Sequence, residues 1–79
     1  MARYRKKPVV IEAIQWTGDN EGDVINFAGE SLMVDDFGVY IHTLEGWMIV
    51  REGDYIIKGV RGEFYSCRED IFLETYEKA

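Results

Sequence analysis

The sequence predicts an α+β fold: a small, rolled and mostly antiparallel β-sheet of five to six strands, with one short helix after the first strand. Its 79 residues are expected to form a single domain, 1–79, because a chain of this size encloses only one thin core. Short β-branched and aromatic runs recur at about ten-residue spacing between turn formers, as in antiparallel sheets. In one segment, residues 21–28, the apolar residues instead recur at the helical period.

The first strand is predicted over residues 8–16, where β-branched residues alternate and a proline stands at the start, a position that tolerates its missing N–H. Turn formers then end the strand. The short helix follows over residues 21–28, because Val24, Phe27 and Ala28 fall on one helical face. Acidic residues in its first turn suit the positive end of the helix dipole.

After the helix the apolar pattern returns to a period of two. Strands are predicted at residues 32–34, 39–43, 47–50, 55–60 and 63–67. Tight turns between them indicate an antiparallel meander, in which each strand pairs with the next. Such a small sheet must curl, or be covered on one face, to enclose a core. The tail from residue 69 to 76 is predicted to be helical or extended.

Net charge and its distribution restrict the partners. The chain carries a formal net charge of −6, which argues against binding long nucleic acids because such proteins need a basic face. Between Pro8 and Val50 there is no lysine or arginine, whereas there are eight acidic residues. The cations are concentrated near the start and in the later strands. A small anion could therefore still find a local basic pocket.

Cysteine usage and hydropathy predict the compartment. Cys67 is the single cysteine and His42 the single histidine, which excludes an internal disulfide and argues against a Cys/His zinc site. No apolar run approaches the roughly 20 residues that span a bilayer, so no membrane association is expected. A lone thiol suits a reducing cytoplasm. The many aromatic residues of so small a chain predict a homo-oligomer, a dimer or tetramer.

Catalytic residues are not evident in the sequence. His42 alternates with apolar strand neighbours and is interpreted as structural or exposed. Cys67 is interpreted as a buried strand residue, although Arg68 beside it could lower its pKa. The carboxylate pairs lie at predicted turns or a helix start, where such residues serve the backbone. We therefore expect a protein that is not an enzyme and needs no cofactor or metal.

Basic and aromatic residues combine in the hairpin formed by residues 53–68. Arginine and lysine can bind phosphates, and aromatic rings can stack on bases. Six residues are the predicted ligand-binding set: Lys58, Arg61 and Arg68 for phosphates, and Trp16, Tyr55 and Tyr65 for stacking. Gly59 interrupts a strand, which predicts a bulge or a close approach by another backbone or a ligand. The alternative is a solvated strand face with Lys–Glu pairs and aromatics that fill the core.

Several motifs in order resemble a widespread family of small, uncharacterised phage and prophage proteins. They are YRKKPVVIEAIQW at residues 4–16, IHTLEG at 41–46, GDYIIKGVRGEFY at 53–65, and the ending DIF at 70–72 with TYE at 75–77. Members usually have proline where this chain has Ser66 and Glu69, so the loop around Cys67 is expected to be less rigid here. The resemblance spans nearly the whole chain.

The resemblance implies a function in immune evasion. Small phage proteins of this size include oligomeric sponges, which bind the cyclic oligonucleotide signals of bacterial systems such as CBASS and Thoeris, and the family is similar to an anti-CBASS sponge group. The expected function is sequestration of a cyclic di- or oligonucleotide between subunits. Three alternatives remain: an inhibitor that binds a host protein through the acidic stretch 19–45, a ligand-free structural oligomer, and a hydrolase of the signal.

Overall fold

The computed structural model describes residues 1–5 and 7–79 of the chain. In chain order the elements are β1 (Glu12–Gln15), α1 (Glu21–Ala28), a 3₁₀ turn (Gly29–Ser31), β2 (Leu32–Asp35), β3 (Gly38–Thr43), β4 (Gly46–Val50), β5 (Tyr55–Lys58), β6 (Phe64–Cys67) and α2 (Glu69–Thr75). The regular structure is thus mostly antiparallel β, with two short helices, which is compatible with the predicted fold class.

The six strands form two antiparallel sheets of three strands each. The first sheet has the order β1-β5-β6 and the second sheet the order β2-β3-β4. The predicted meander is present within the second sheet, but the single rolled sheet is divided between β4 and β5. The cause is β1, which occupies the edge of β5. Hydrogen bonds from Trp16 N–H to Asp54 O (2.8 Å) and from Gly53 N–H to Trp16 O (2.7 Å) continue that pairing into the preceding turn.

The core lies where the two sheets and α1 meet. Its buried members are Val24 and Ala28 of α1, Val39 and Ile41 of β3, Val50 of β4 and Ile56 of β5. The ring of Phe27 meets the ring of Phe64 edge-on, with 5.8 Å between centroids. This contact joins α1 to β6. The apolar face of the helix therefore packs on the first sheet as well as on the second.

Strand alternation gives the first sheet two different faces. Ile56 belongs to the inner face, which takes part in the core, whereas Ile57 points to the outer face. Both side chains are almost completely buried, with 0% and 1% exposed. The outer face is therefore also covered. Phe72 of α2 stacks on Tyr55 there, with 3.8 Å between ring centroids, so α2 supplies part of this cover.

An arm of residues 1–11 precedes β1 and has no regular structure where it is described. Its outer part is exposed, with Tyr4 94% accessible to solvent. The molecule measures 49 × 24 × 19 Å along its principal axes. In the part of the chain that the structure describes, no helix combines the length and the apolar character needed to cross a bilayer.

Replacing Ile56 by alanine tests the assignment of the core. Because Ile56 is fully buried, we expect Ile56→Ala to lower the free energy of unfolding by about 2–5 kcal/mol. The matched control is Ile71→Ala, since Ile71 is 47% exposed and its replacement should cost under about 1 kcal/mol. Chemical denaturation followed by circular dichroism measures both. Equal losses in the two variants would contradict this core.

Candidate functional site

The turn between β5 and β6 displays a cation at the tip of the hairpin. Gly59 N–H donates to Glu63 O (2.7 Å), and Gly62 N–H donates to Gly59 O (3.0 Å). Gly62 has a φ of 81°, which glycine adopts without a steric penalty. The tight turn leaves Arg61 exposed at its end. The sequence thus places a guanidinium on a short, hydrogen-bonded loop.

Glu63 stabilises this turn and does not neutralise the cations near it. Its carboxylate Oε2 accepts a hydrogen bond from Arg61 backbone N–H (3.0 Å). It also lies so close to Gly59 that a Cβ there would overlap it, so the group that approaches Gly59 is a side chain of the same hairpin and not the backbone or ligand that the sequence predicted. Among residues 1–5 and 7–79, no ion pair includes Lys58 or Arg61. Both cationic groups are therefore available to an anion.

Arg68 has a different environment. It stands at the start of α2, where its Nη2 lies 2.8 Å from Asp70 Oδ2 in an exposed ion pair. An exposed pair of this kind contributes little to stability, and an anionic ligand could replace the carboxylate. The register of the hairpin places Arg68 at the Tyr55 end of β5, whereas Arg61 follows the Lys58 end. The two arginines therefore lie at opposite ends of the hairpin.

The six predicted ligand residues do not share one face of the first sheet. Tyr55 and Tyr65 point to the outer face, since they lie opposite Cys67 and Ile57 respectively. Lys58 has the opposite parity and belongs to the inner face, at its exposed end. Trp16 packs against the core. The structure brings Tyr55 and Tyr65 together and separates them from Lys58 and Trp16.

The outer face of the first sheet contains a cleft. It has a volume of about 370 Å3 and lies between the arm, the sheet and the C-terminal segment. Its walls are mostly apolar: residues 9–11 of the arm, Ala13 and Tyr55 of the sheet, and Phe72, Leu73 and Tyr76. The rings of Tyr55, Phe72 and Tyr76 follow one another, with centroid distances of 3.8 and 5.1 Å. This cleft can accept a flat, apolar group.

Most of the cleft residues were not predicted as ligand residues. The four-residue spacing of Phe72 and Tyr76 indicates that one side of the tail is apolar, and this pattern could have identified the tail as a cover. The arm gives no comparable signal, because residues 9–11 are predicted as part of a strand. In the structure β1 begins only at Glu12, so residues 9–11 lie outside the strand. Tyr55 is the one predicted residue that lines the cleft.

Tyr65 is held in its protonated form. Partial burial raises the pKa of Tyr65 from 10.0 to about 12, and a hydrogen bond shared with the Tyr76 hydroxyl adds to this effect. The negative charge of Glu63 acts in the same direction. At neutral pH the phenol is therefore a hydroxyl with no charge, which can donate or accept a hydrogen bond at the border of the cleft.

Cys67 and His42 have surroundings that differ from those of reactive groups. Burial raises the pKa of the Cys67 thiol, and the carboxylates of Asp54 and Asp70 raise it further. The guanidinium beside it in sequence pairs with Asp70, so it does not activate the thiol. His42 is exposed on the second sheet, and its ring centroid lies 4.9 Å from that of Trp47. Within the described ranges, no three His, Cys, Asp or Glu residues are arranged to hold a metal ion.

Comparisons with known proteins give no match for this chain among protein-family models, curated proteins or solved structures.

The hydroxyl pair of Tyr65 and Tyr76 can be tested by titration. Absorbance of tyrosinate should show one tyrosine that ionises at a pH of about 12, and Tyr65→Phe should remove it. Tyr76→Phe should lower the pKa of Tyr65, because the shared hydrogen bond is lost. Between pH 10 and 12 the unfolded chain releases this proton and the folded chain retains it, so stability falls as pH rises. An unchanged titration in Tyr65→Phe would contradict the assignment.

Proposed function

We propose that this chain is a phage-encoded protein that performs no catalysis and sequesters a cyclic dinucleotide signal of bacterial immunity. It acts as a homo-oligomer in the cytoplasm of the infected cell and belongs to the phage and prophage family that its motifs resemble. The observation that carries the proposal is the aromatic cleft on the outer face of a hairpin with an arginine at each end. A base can enter the cleft while phosphates reach the arginines.

The distance between the two arginines suits a ligand with more than one phosphate. The four residues of β5 correspond to about 13 Å of strand, with Arg61 beyond one end and Arg68 beyond the other. A mononucleotide is too short to reach both ends with one phosphate. A cyclic dinucleotide presents two bases and carries two phosphates on one compact ring. These phosphates are closer together than the length of β5, so both arginine side chains would have to extend inward to contact them. Tyr55 lines the cleft, where one face of its ring is stacked on Phe72, so a base would add to this row of rings. Tyr65 belongs to the same face of the sheet.

The size of the cleft explains why the proposal includes more than one copy. A sponge that competes with a receptor needs nanomolar affinity, about −12 kcal/mol, and tight small-molecule sites bury roughly 70–90% of the ligand. A cleft of about 370 Å3 is near the lower end of the usual range of about 300–1,000 Å3. A cleft of this size in one copy would enclose only part of a cyclic dinucleotide. A second copy would have to cover the rest.

Lys58 and Trp16 have a different place in the proposal. Their side chains belong to the inner side of the first sheet, whereas the cleft is on the outer side. Lys58 is exposed at the end of its strand and can reach a ligand held by another copy. Trp16 packs on the core, so its replacement should affect stability more than affinity. Lys58 therefore tests whether the ligand lies between subunits.

A second candidate function is inhibition of a host protein through the acidic surface. It is favoured by the exposed apolar side chains of the second sheet, among them Met33, Trp47 and Ile49. They lie in a stretch of chain without lysine or arginine. This function predicts capture of one basic host protein and no saturable binding of nucleotides.

A thermal-shift panel of linear and cyclic mono-, di- and trinucleotides tests the proposed function. A ligand at one hundred times its Kd stabilises the native state by about 2.7 kcal/mol, so one cyclic dinucleotide should raise the melting temperature clearly. Arg61→Ala and Lys58→Ala should each weaken binding at least about tenfold, because a charge-assisted hydrogen bond is lost.

The matched control is Arg51→Ala. Arg51 is an exposed arginine outside the hairpin, and its replacement should leave the affinity unchanged. A flat panel would contradict the proposed function. Unchanged affinity in both Arg61→Ala and Lys58→Ala would contradict the assignment of these two residues.

A further inference from the structure

The outer face of the second sheet has no cover in the described chain. Register places Met33, Tyr40 and Ile49 in one row across its three strands, and His42 and Trp47 in the next row. Met33, Ile49 and Trp47 are 41%, 40% and 52% exposed. These three large apolar side chains lie on the two edge strands, on a face that the described chain leaves exposed to solvent. We refer to these five residues as the open face.

Carboxylates stand at both ends of the open face. Asp35 ends β2 and Asp36 follows it in the turn to β3, whereas Glu45 belongs to the turn between β3 and β4 at the other end. Asp35 Oδ1 accepts hydrogen bonds from Phe37 N–H and Gly38 N–H within its own turn. In the described ranges, neither Asp36 nor Glu45 forms an ion pair. The open face is therefore apolar in the middle and negative at its ends.

The arm has the complementary composition. Arg3, Tyr4 and Arg5 are exposed, and neither arginine forms an ion pair with a described residue. Fully extended, a chain could span about 13 Å from Arg3 to Lys7. The open face is about 17 Å long along its strands. The arm is therefore long enough to cross most of the face, and the opposite charges favour their association.

The small area of the open face indicates that contact between two such faces needs a further contact surface. Three strands of about five residues cover a projected area of roughly 240 Å2, which is a small patch, since a stable interface buries about 800 Å2 of accessible surface on each partner. An additional contact surface would enlarge an interface between two open faces. If the arm of each copy crosses the open face of the other copy, two further contact surfaces are added.

We propose that two copies of this chain exchange their arms, each arm binding the open face of the other copy. Tyr4 packs against the row of Met33, Tyr40 and Ile49. In an extended arm Arg3 and Arg5 lie on the side opposite Tyr4, so their long side chains bend back past the arm toward the carboxylates at the ends. The arm exchange rests on the proposed function only in one respect, namely that copies of the chain associate. It requires no nucleotide. The exchange also fixes residues 9–11, which line the cleft, so arm binding and ligand binding would be coupled.

Sedimentation velocity of the full chain without nucleotide tests the exchange. The wild type should self-associate, and its dissociation constant should increase when salt rises from about 50 to about 500 mM, because screening weakens the charge contacts. The double variant R3E/R5E should raise the dissociation constant at least about tenfold. Trp47→Ser should weaken association through the open face. Circular dichroism verifies the fold of each variant.

A charge exchange provides the decisive comparison. Adding D36K/E45K to R3E/R5E should restore association to within a few-fold of the wild type, since the signs of both partners are reversed. The control K58E/R61E reverses two cations of the hairpin and should leave self-association unchanged, although the proposed function predicts that it loses nucleotide binding. A failure of the arm exchange can therefore be distinguished from a failure of nucleotide binding.

Three results would overturn the arm exchange. They are a wild type that stays monomeric, an R3E/R5E variant that associates like the wild type, and a charge exchange that restores nothing. An arm that binds nucleic acid, with self-association unchanged in R3E/R5E, would likewise overturn it.

Discussion

The pairing of β1 with β5 determines how the rest of the chain is arranged. Gln15 lies opposite Tyr55 and Glu12 opposite Lys58, so β1 occupies the edge of β5 that the meander from β4 would otherwise use. The chain between β4 and β5 must therefore leave the second sheet. Asp54 N–H donates to Arg51 O (2.8 Å) in that turn. Two sheets result, and α1 can pack on both of them.

The same pairing creates the outer face on which the cleft depends. A first sheet of three strands has one face in the core, and its other face carries Ile57, Tyr55 and Tyr65. These side chains need cover, and α2 with the segment after it provides that cover through the ring contacts of Phe72 and Tyr76. The cover is incomplete, and the remaining space is the cleft. The candidate site is thus a consequence of how a small sheet protects its second face.

Local features of the fold could be predicted from the sequence, but the sheet partners could not. Alternation identifies β3 and β5, and Gly62 identifies the turn at the tip of the hairpin. These depend on neighbouring residues. The division into two sheets depends on which strand pairs with the free edge of β5. The residue patterns of β1 and β4 are equally suitable for that pairing. Pairing between segments so far apart in the chain leaves no trace in either segment alone.

The candidate site shows the same limit. Lys58 and Tyr55 are separated by an odd number of positions, so strand parity alone predicts that they point to opposite faces. A basic and aromatic composition in one hairpin therefore does not define one site. The position of the arm beside Phe72 could not be predicted, because it depends on how the C-terminal segment folds over the sheet.

Native mass spectrometry of the purified chain, mixed with equal amounts of cyclic mono-, di- and trinucleotides, tests the central claim most directly. The account predicts an oligomer of the chain that retains an intact cyclic dinucleotide, which denaturation then releases with its mass unchanged. Retention of no nucleotide, retention on the monomer alone, or release of a linear product would contradict it.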